Sequence, residues 1–176
     1  MVCIRVDMNE QIATGHMMRC LSIADALRDL GEQVTFILAD EQAINLLKQR
    51  GYDAIVLHTQ WNDMDGELQG LSQMIQNEQI EKLLIDSYLV TPQYLAKLSE
   101  SVKTVYIDDM NLFDYPVGAI ICYANYWKKF NYPIEQVEKH YYVGTKYVPL
   151  KSVFWNCGKK VIAEQPEKLL VLTGGS

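Results

Sequence analysis

Apolar residues along the chain fall into short unbroken runs, separated by stretches of helical spacing. The first run, VCIRV at 2–6, has the length of a strand. A polar loop at 8–15 follows. The segment 17–30 then carries Met17, Leu21, Ala24 and Leu27 at helical intervals, and Gly31 suits the position just past a helix end. VTFIL at 34–38 predicts a second strand, 41–50 a helix closed by Gly51, and 54–57 a third strand. After a polar loop at 58–66 the spacing predicts a helix at 67–79. LLID at 83–86 reads as a strand, and 92–101 as a helix with Pro92 in its first turn. A strand at 102–107 ends in Asp108-Asp109, and 119–122 is the last clear strand of the series. From 123 to 154 the periodicity weakens, which predicts an irregular Tyr-rich flap with one short helix near 134–139. The segment 156–167 reads as a polar linker, and 169–172 as a fresh strand before Gly174-Gly175-Ser176.

Strands that are apolar throughout are covered on both faces, and here they alternate with helices through short connections. The pattern is that of an α/β protein with an open, doubly wound parallel sheet. Ligands bind such sheets beyond the carboxyl ends of the strands. His16, Asp86, Ser87, Tyr88, Asp108 and Asp109 all belong to that edge, although they are far apart in sequence.

The chain has 176 residues, enough for one ordinary domain. An apolar fraction of 49% with 22% charged residues is that of a globular protein able to bury a core. The net charge of −6 argues against a nucleic-acid surface and against anionic membranes. No apolar run approaches the roughly 20 residues of a membrane span. The start, MVCIRVDM, lacks a basic segment and an apolar core of signal-peptide length, so a cytoplasmic location is expected. Cys3, Cys20, Cys122 and Cys157 are widely spaced and form no CxxC pair. They read as reduced structural thiols, with no metal site.

Thr14-Gly15-His16, between the first strand and the first helix, is the sharpest candidate for chemistry. Imidazole moves protons near neutral pH, and a neutral ring can act as a general base. The plainer alternative is a loop histidine that caps the helix. Asp86-Ser87-Tyr88 can bind hydroxyl groups or orient His16, or can simply cap a strand end. Arg19, one turn into the helix, is placed to contact an anion or to clamp the sheet edge. Asn125 follows the last strand, where amides read hydroxyls. Asp108-Asp109 reads more readily as a solvated or capping pair than as a working one. Arg5 in a core strand requires a partner, so an ion-pair role is expected. His58 and His140 read as surface residues. The phosphate-cradling patterns GxGxxG and GxxxxGK[ST] are absent.

The order of these motifs resembles the PseG family of UDP-sugar hydrolases and related spore-coat polysaccharide proteins. The residues that carry the resemblance are Arg5-Val6-Asp7, then Ile12-Ala13-Thr14-Gly15-His16-Met17-Met18-Arg19-Cys20-Leu21, Ile85-Asp86-Ser87-Tyr88, Ile107-Asp108-Asp109, Asn125, the set Gly144, Tyr147, Leu150 and Phe154, and Leu172-Thr173-Gly174-Gly175-Ser176. Ala13 departs from the family's Gly-x-Gly-His loop. The resemblance implies the N-terminal half of a glycosyltransferase-B-like (MurG-like) fold. It implies a sugar-side domain over 1–157, and over 158–176 a linker and the first strand of a second, nucleotide-binding domain. It further implies inverting attack of water at the anomeric carbon of a UDP-linked 2,4-diacetamido-trideoxy sugar. His16 is then the base, and Thr14, Gly15, Arg19, Asp86, Tyr88 and Asn125 form the substrate side. No cofactor or metal is implied. The partners are the UDP-sugar and the second domain. A glycosyltransferase of the same fold, and a sugar- or nucleotide-binding module without catalysis, are the alternatives.

Overall fold

The computed structural model describes residues 1–12, 14–159, 161, 164, 165, 169 and 171. Among the described residues there are seven strands: β1 (Val2–Val6), β2 (Val34–Leu38), β3 (Asp53–Val56), β4 (Lys82–Asp86), β5 (Lys103–Ile107), β6 (Ala119–Cys122) and β7 (His140–Val143). Four α-helices lie between them: α1 (Gly15–Asp29), α2 (Ile44–Gln49), α3 (Met64–Asn77) and α4 (Pro92–Ser99). The sheet order is β3-β2-β1-β4-β5-β6-β7, and every pairing is parallel. The expected doubly wound sheet is present, and its strand order reverses between β1 and β4.

Alternate residues of the central strands feed two separate cores. On one face Cys3, Ile37, Leu83, Ile85, Tyr106 and Ile120 meet Leu71 and Ile75 of α3 and Tyr94, Leu95 and Leu98 of α4. On the other, Ile4, Val6, Phe36, Leu38, Leu84 and Ile107 meet Met17, Cys20, Leu21 and Ala24 of α1 and Leu47 of α2. Side chains alternate across a strand, so a run apolar throughout serves both layers. Each fully buried Leu or Ile contributes about 1.5–3 kcal/mol of transfer free energy.

Local signals set the helix ends. Asp63 caps α3 by accepting a hydrogen bond from the Gly66 N–H, so that helix begins at Met64, inside the segment expected to be loop. Thr91 does the same for Tyr94 at the start of α4, with Pro92 in its first turn.

The flap departs from expectation. Its sequence predicts one helix near 134–139, but residues 134–139 form turns and bends, and a seventh strand follows at His140–Val143. Ile134 and Val137 have the spacing of a helical face, yet they are 47% and 91% exposed. A short helix with no face to bury lacks the packing that stabilises helices in proteins. Strand β7 pairs with β6 and turns Tyr141 and Val143 toward the core, while His140 and Tyr142 face outward. Four residues of period-two pattern are too few to stand out among the surrounding tyrosines. The linker and strand expected over 158–176 fall largely outside the described residues, as does Ala13.

Candidate active site at the switch point of the sheet

Four strand ends meet the start of α1. Strand β1 runs into Asp7, β4 ends in Asp86, β5 runs into Asp108 and Asp109, and β6 leads to Tyr123. Val6 lies beside Asp86 in the sheet register, so the β1 and β4 ends are neighbours. The first turn of α1 sits over them with His16, Arg19 and Cys20 three and four residues apart, on one helix face. Thr14 occupies the N-cap position without a side-chain cap bond. Gly15 has an ordinary helical backbone, and a Cβ added there would meet open space. It keeps the mouth of the site uncrowded rather than relieving strain.

Asp86 organises the cluster. Its Oδ1 lies 2.6 Å from His16 Nδ1 and accepts from Arg19 Nη2 at 2.5 Å. Its Oδ2 accepts from Arg19 Nε at 2.6 Å and from the Cys20 thiol at 3.4 Å. Only 1% of Asp86 is exposed. Burial by itself pushes its carboxyl up; the hydrogen bonds from Arg19 and His16, and their charges, outweigh that and hold it below the ordinary carboxylate range. Arg19 Nη2 also comes within 3.0 Å of His16 Nδ1. A guanidinium has no acceptor to offer, so the carboxylate is the partner that fixes the Nδ1–H tautomer. Nε2 is then the basic nitrogen of the ring, turned away from Asp86.

The sequence leaves the role of Asp86 open between hydroxyl binding and orienting His16, and the family resemblance puts it on the substrate side. The structure places it behind the imidazole, with both oxygens taken by protein donors. Arg19 likewise faces the protein. Beyond Asp86 it donates from Nη1 to Asp109 Oδ2 and to the Tyr123 hydroxyl, both at 3.0 Å, so it clamps the ends of β4, β5 and β6. Tyr88 forms the outer wall. Its ring meets His16 edge-on at 4.5 Å, and its hydroxyl donates to Asp109 Oδ2 at 2.8 Å. Burial, with Asp109 adding to it, pushes that hydroxyl up to about 12, so Tyr88 is a donor at neutral pH. Asn125 is exposed, and among the described residues no hydrogen bond joins it to the cluster.

The two acids after β5 divide. Asp108 behaves as a cap: it is buried and accepts from the backbone N–H groups of Met110 and Asn111 and from the hydroxyls of Tyr115 and Tyr132. Asp109 instead belongs to the site, joined to Arg19 and Tyr88, with a buried Oδ1 that has no hydrogen-bond partner among the described residues. Sequence reasoning placed it at the strand-end edge but favoured a solvated or capping role for the pair, because its capping neighbour shares the same strand end. Tyr123 was missed; its position just past β6 is the one signal that points to it. Arg5 has the expected ion-pair role, with Nη1 2.6 Å from Asp7 and with Nε and Nη2 each 2.7 Å from Glu67. Cys3, Cys20 and Cys122 are buried free thiols and Cys157 is an exposed one. Burial pushes the Cys20 thiol up, which suits an inert donor to Asp86.

No family model matches the chain. Among curated proteins it is 25% identical over 187 aligned residues to the uncharacterized protein MJ1062 of Methanocaldococcus jannaschii, covering 99% of this chain and 37% of that protein. The chain therefore spans little more than a third of that relative. Among solved structures it is similar to a glycosyltransferase from Rickettsia africae, with a TM-score of 0.58 and 12% identity over 81% of this chain and 41% of that one. It is also similar to MurG of Acinetobacter baumannii, with a TM-score of 0.55 and 12% identity over 79% of this chain and 44% of that one. The fold is a glycosyltransferase-B-like half domain. At 12% identity these two likenesses concern the fold and leave the chemistry to the site. Among the described residues no helix is long and apolar enough to cross a membrane.

Proposed function

We propose that this chain is the sugar-side domain, over residues 1–157, of an enzyme acting on a nucleotide-linked sugar, and that the reaction is hydrolysis. The observation that carries the reading is the pair His16–Asp86 at the switch point, with Nδ1 held on a buried carboxylate and Nε2 left as the basic nitrogen. In this reading Nε2 takes a proton from water as the water oxygen attacks the anomeric carbon. The bond from that carbon to the diphosphate oxygen breaks, UDP leaves with the electron pair, and the configuration inverts. Asp86 keeps the ring in the useful tautomer and stabilises the imidazolium that forms. Arg19 is a positioning residue, locking Asp86 and Asp109 in place. Tyr88, with Thr14, Gly15 and Asn125 at the rim, faces the sugar. The motif order shared with the PseG family supports a UDP-linked diacetamido-trideoxy sugar as substrate. A second domain supplies the nucleotide contacts.

The decisive assay uses the protein joined to its second domain, with UDP-sugars and no acceptor. Release of free sugar and UDP is the expected result, and His16→Ala lowers turnover on the order of 10²–10⁴-fold. A loss under about tenfold would assign His16 a structural role instead. One of the two similar solved structures is described as a glycosyltransferase, which favours one second reading: His16 deprotonates a sugar hydroxyl rather than water. Turnover that requires an added acceptor selects that reading.

A further inference from the structure

A cavity of about 290 Å³ opens beside His16, between the loop after β1 and the loop after β4. Ile12, Trp61, Tyr88 and Leu89 give it apolar walls, and Asp7 and Gln11 give it polar groups beside the imidazole. Asp7 is 7% exposed. Its Oδ1 accepts from the Ala39 N–H at 2.8 Å and its Oδ2 from Arg5 at 2.6 Å. A carboxylate oxygen accepts more than one hydrogen bond, so both retain capacity.

Asp7 is more than the counter-charge of Arg5. Glu67 already pairs with Arg5 in a two-pronged fork, and also accepts from the hydroxyls of Tyr94 and Thr59. Asp7 therefore makes a second carboxylate on one guanidinium, a local excess of negative charge. Burial pushes its carboxyl up, and Arg5 and the Ala39 N–H offset this only in part. Keeping such a group buried costs stability. A costly acceptor beside a poised imidazole points to ligand recognition.

We propose that Asp7 is a specificity-determining residue of this cavity, accepting a hydroxyl or N–H of a sugar ring whose apolar face rests on Trp61. The cavity admits neutral or cationic rings and turns anionic groups away, so a diphosphate stays outside it. The proposal rests on the sugar-processing reading above and adds the residues that choose the sugar.

The test titrates the 176-residue chain with free N-acetylglucosamine, glucosamine, glucuronate and UDP, following the tryptophan indole N–H signals by NMR. Trp61→Phe assigns the Trp61 signal. The neutral and cationic sugars are expected to shift Trp61 at tens of millimolar, with glucuronate at least about tenfold weaker and UDP without effect there. Asp7→Asn is expected to weaken the sugars by about tenfold or more, the loss of a hydrogen bond to a charged group. The proposal is overturned if glucuronate binds as well as glucosamine, if UDP alone shifts Trp61, if no sugar does, or if a folded Asp7→Asn binds undiminished. Should Asp7→Asn fail to fold, the charge series on the unaltered chain decides. Sugar binding here without turnover of UDP-sugars by the two-domain protein sinks the hydrolase reading and leaves the cavity assignment standing. Turnover with no sugar response at Trp61 does the reverse.

Discussion

Asp86 is one buried carboxylate that ties the candidate site to stability. Its pKa is depressed in the folded chain, so its contribution is present above the ordinary aspartate value and is lost as pH falls through the folded value. Unfolding followed by circular dichroism is expected to show stability dropping below about pH 4, the ordinary aspartate value. In Asp86→Asn that part of the acid slope disappears. The same change removes the buried countercharge of Arg19 and leaves one acceptor oxygen where there were two, so it costs about 3–5 kcal/mol at neutral pH. The amide also no longer fixes the His16 tautomer, because its nitrogen donates and its one oxygen is contested by Arg19. Under the proposed function, with the chain joined to a second domain, kcat then falls on the order of 10²-fold or more while KM moves little. A parallel rise in KM would mean that Asp86 touches the sugar. His16 and Asp86 were legible in the sequence as candidates. Their partnership was one of two open readings, because the residues stand 70 positions apart and only the β1–β4 neighbourhood joins them.

At the scale of elements, α3 and α4 are fastened to the sheet by more than apolar packing. Glu67 of α3 holds Arg5 of β1 and Tyr94 of α4, so one carboxylate links three elements. Arg5→Ala strands Glu67 and Asp7 as buried charges, and a loss of about 3–5 kcal/mol is expected in urea titration. Glu67→Gln keeps the shape and retains some hydrogen bonds, so its loss is expected to be smaller. Equal losses would show that packing rather than charge dominates this junction. The long, strongly patterned elements α1, β1, β2 and β4 were readable because apolar spacing and tertiary role agree. Strand β7 was hidden because its order comes from pairing with β6, a contact absent from local sequence. The turn segment at 134–139 misled for the opposite reason: helical spacing without a surface to cover.

For the whole molecule, the chain spans 37% of its curated relative and less than half of the two similar solved structures. Under the proposed function, the 176-residue chain alone is expected to bind sugar yet hydrolyse UDP-sugars far more slowly than a two-domain relative. Comparable rates under matched conditions would refute the division of labour between domains. Alternation of apolar runs with helical spacing was enough to specify an α/β class, because burial on both faces demands that pattern. The same runs identified most strands and the edge where function concentrates. Two things needed the tertiary structure. One is the pairing of distant charges: Asp86 with His16 and Arg19, Asp109 with Arg19 and Tyr88, and Glu67 with Arg5. A single charged residue in a sequence does not reveal which partner compensates it. The other is the cavity at Asp7 and Trp61, whose walls come from loops after β1, β3 and β4. Periodicity encodes which face of an element is buried. Which loops then converge depends on strand order, and strand order is set by long-range pairing.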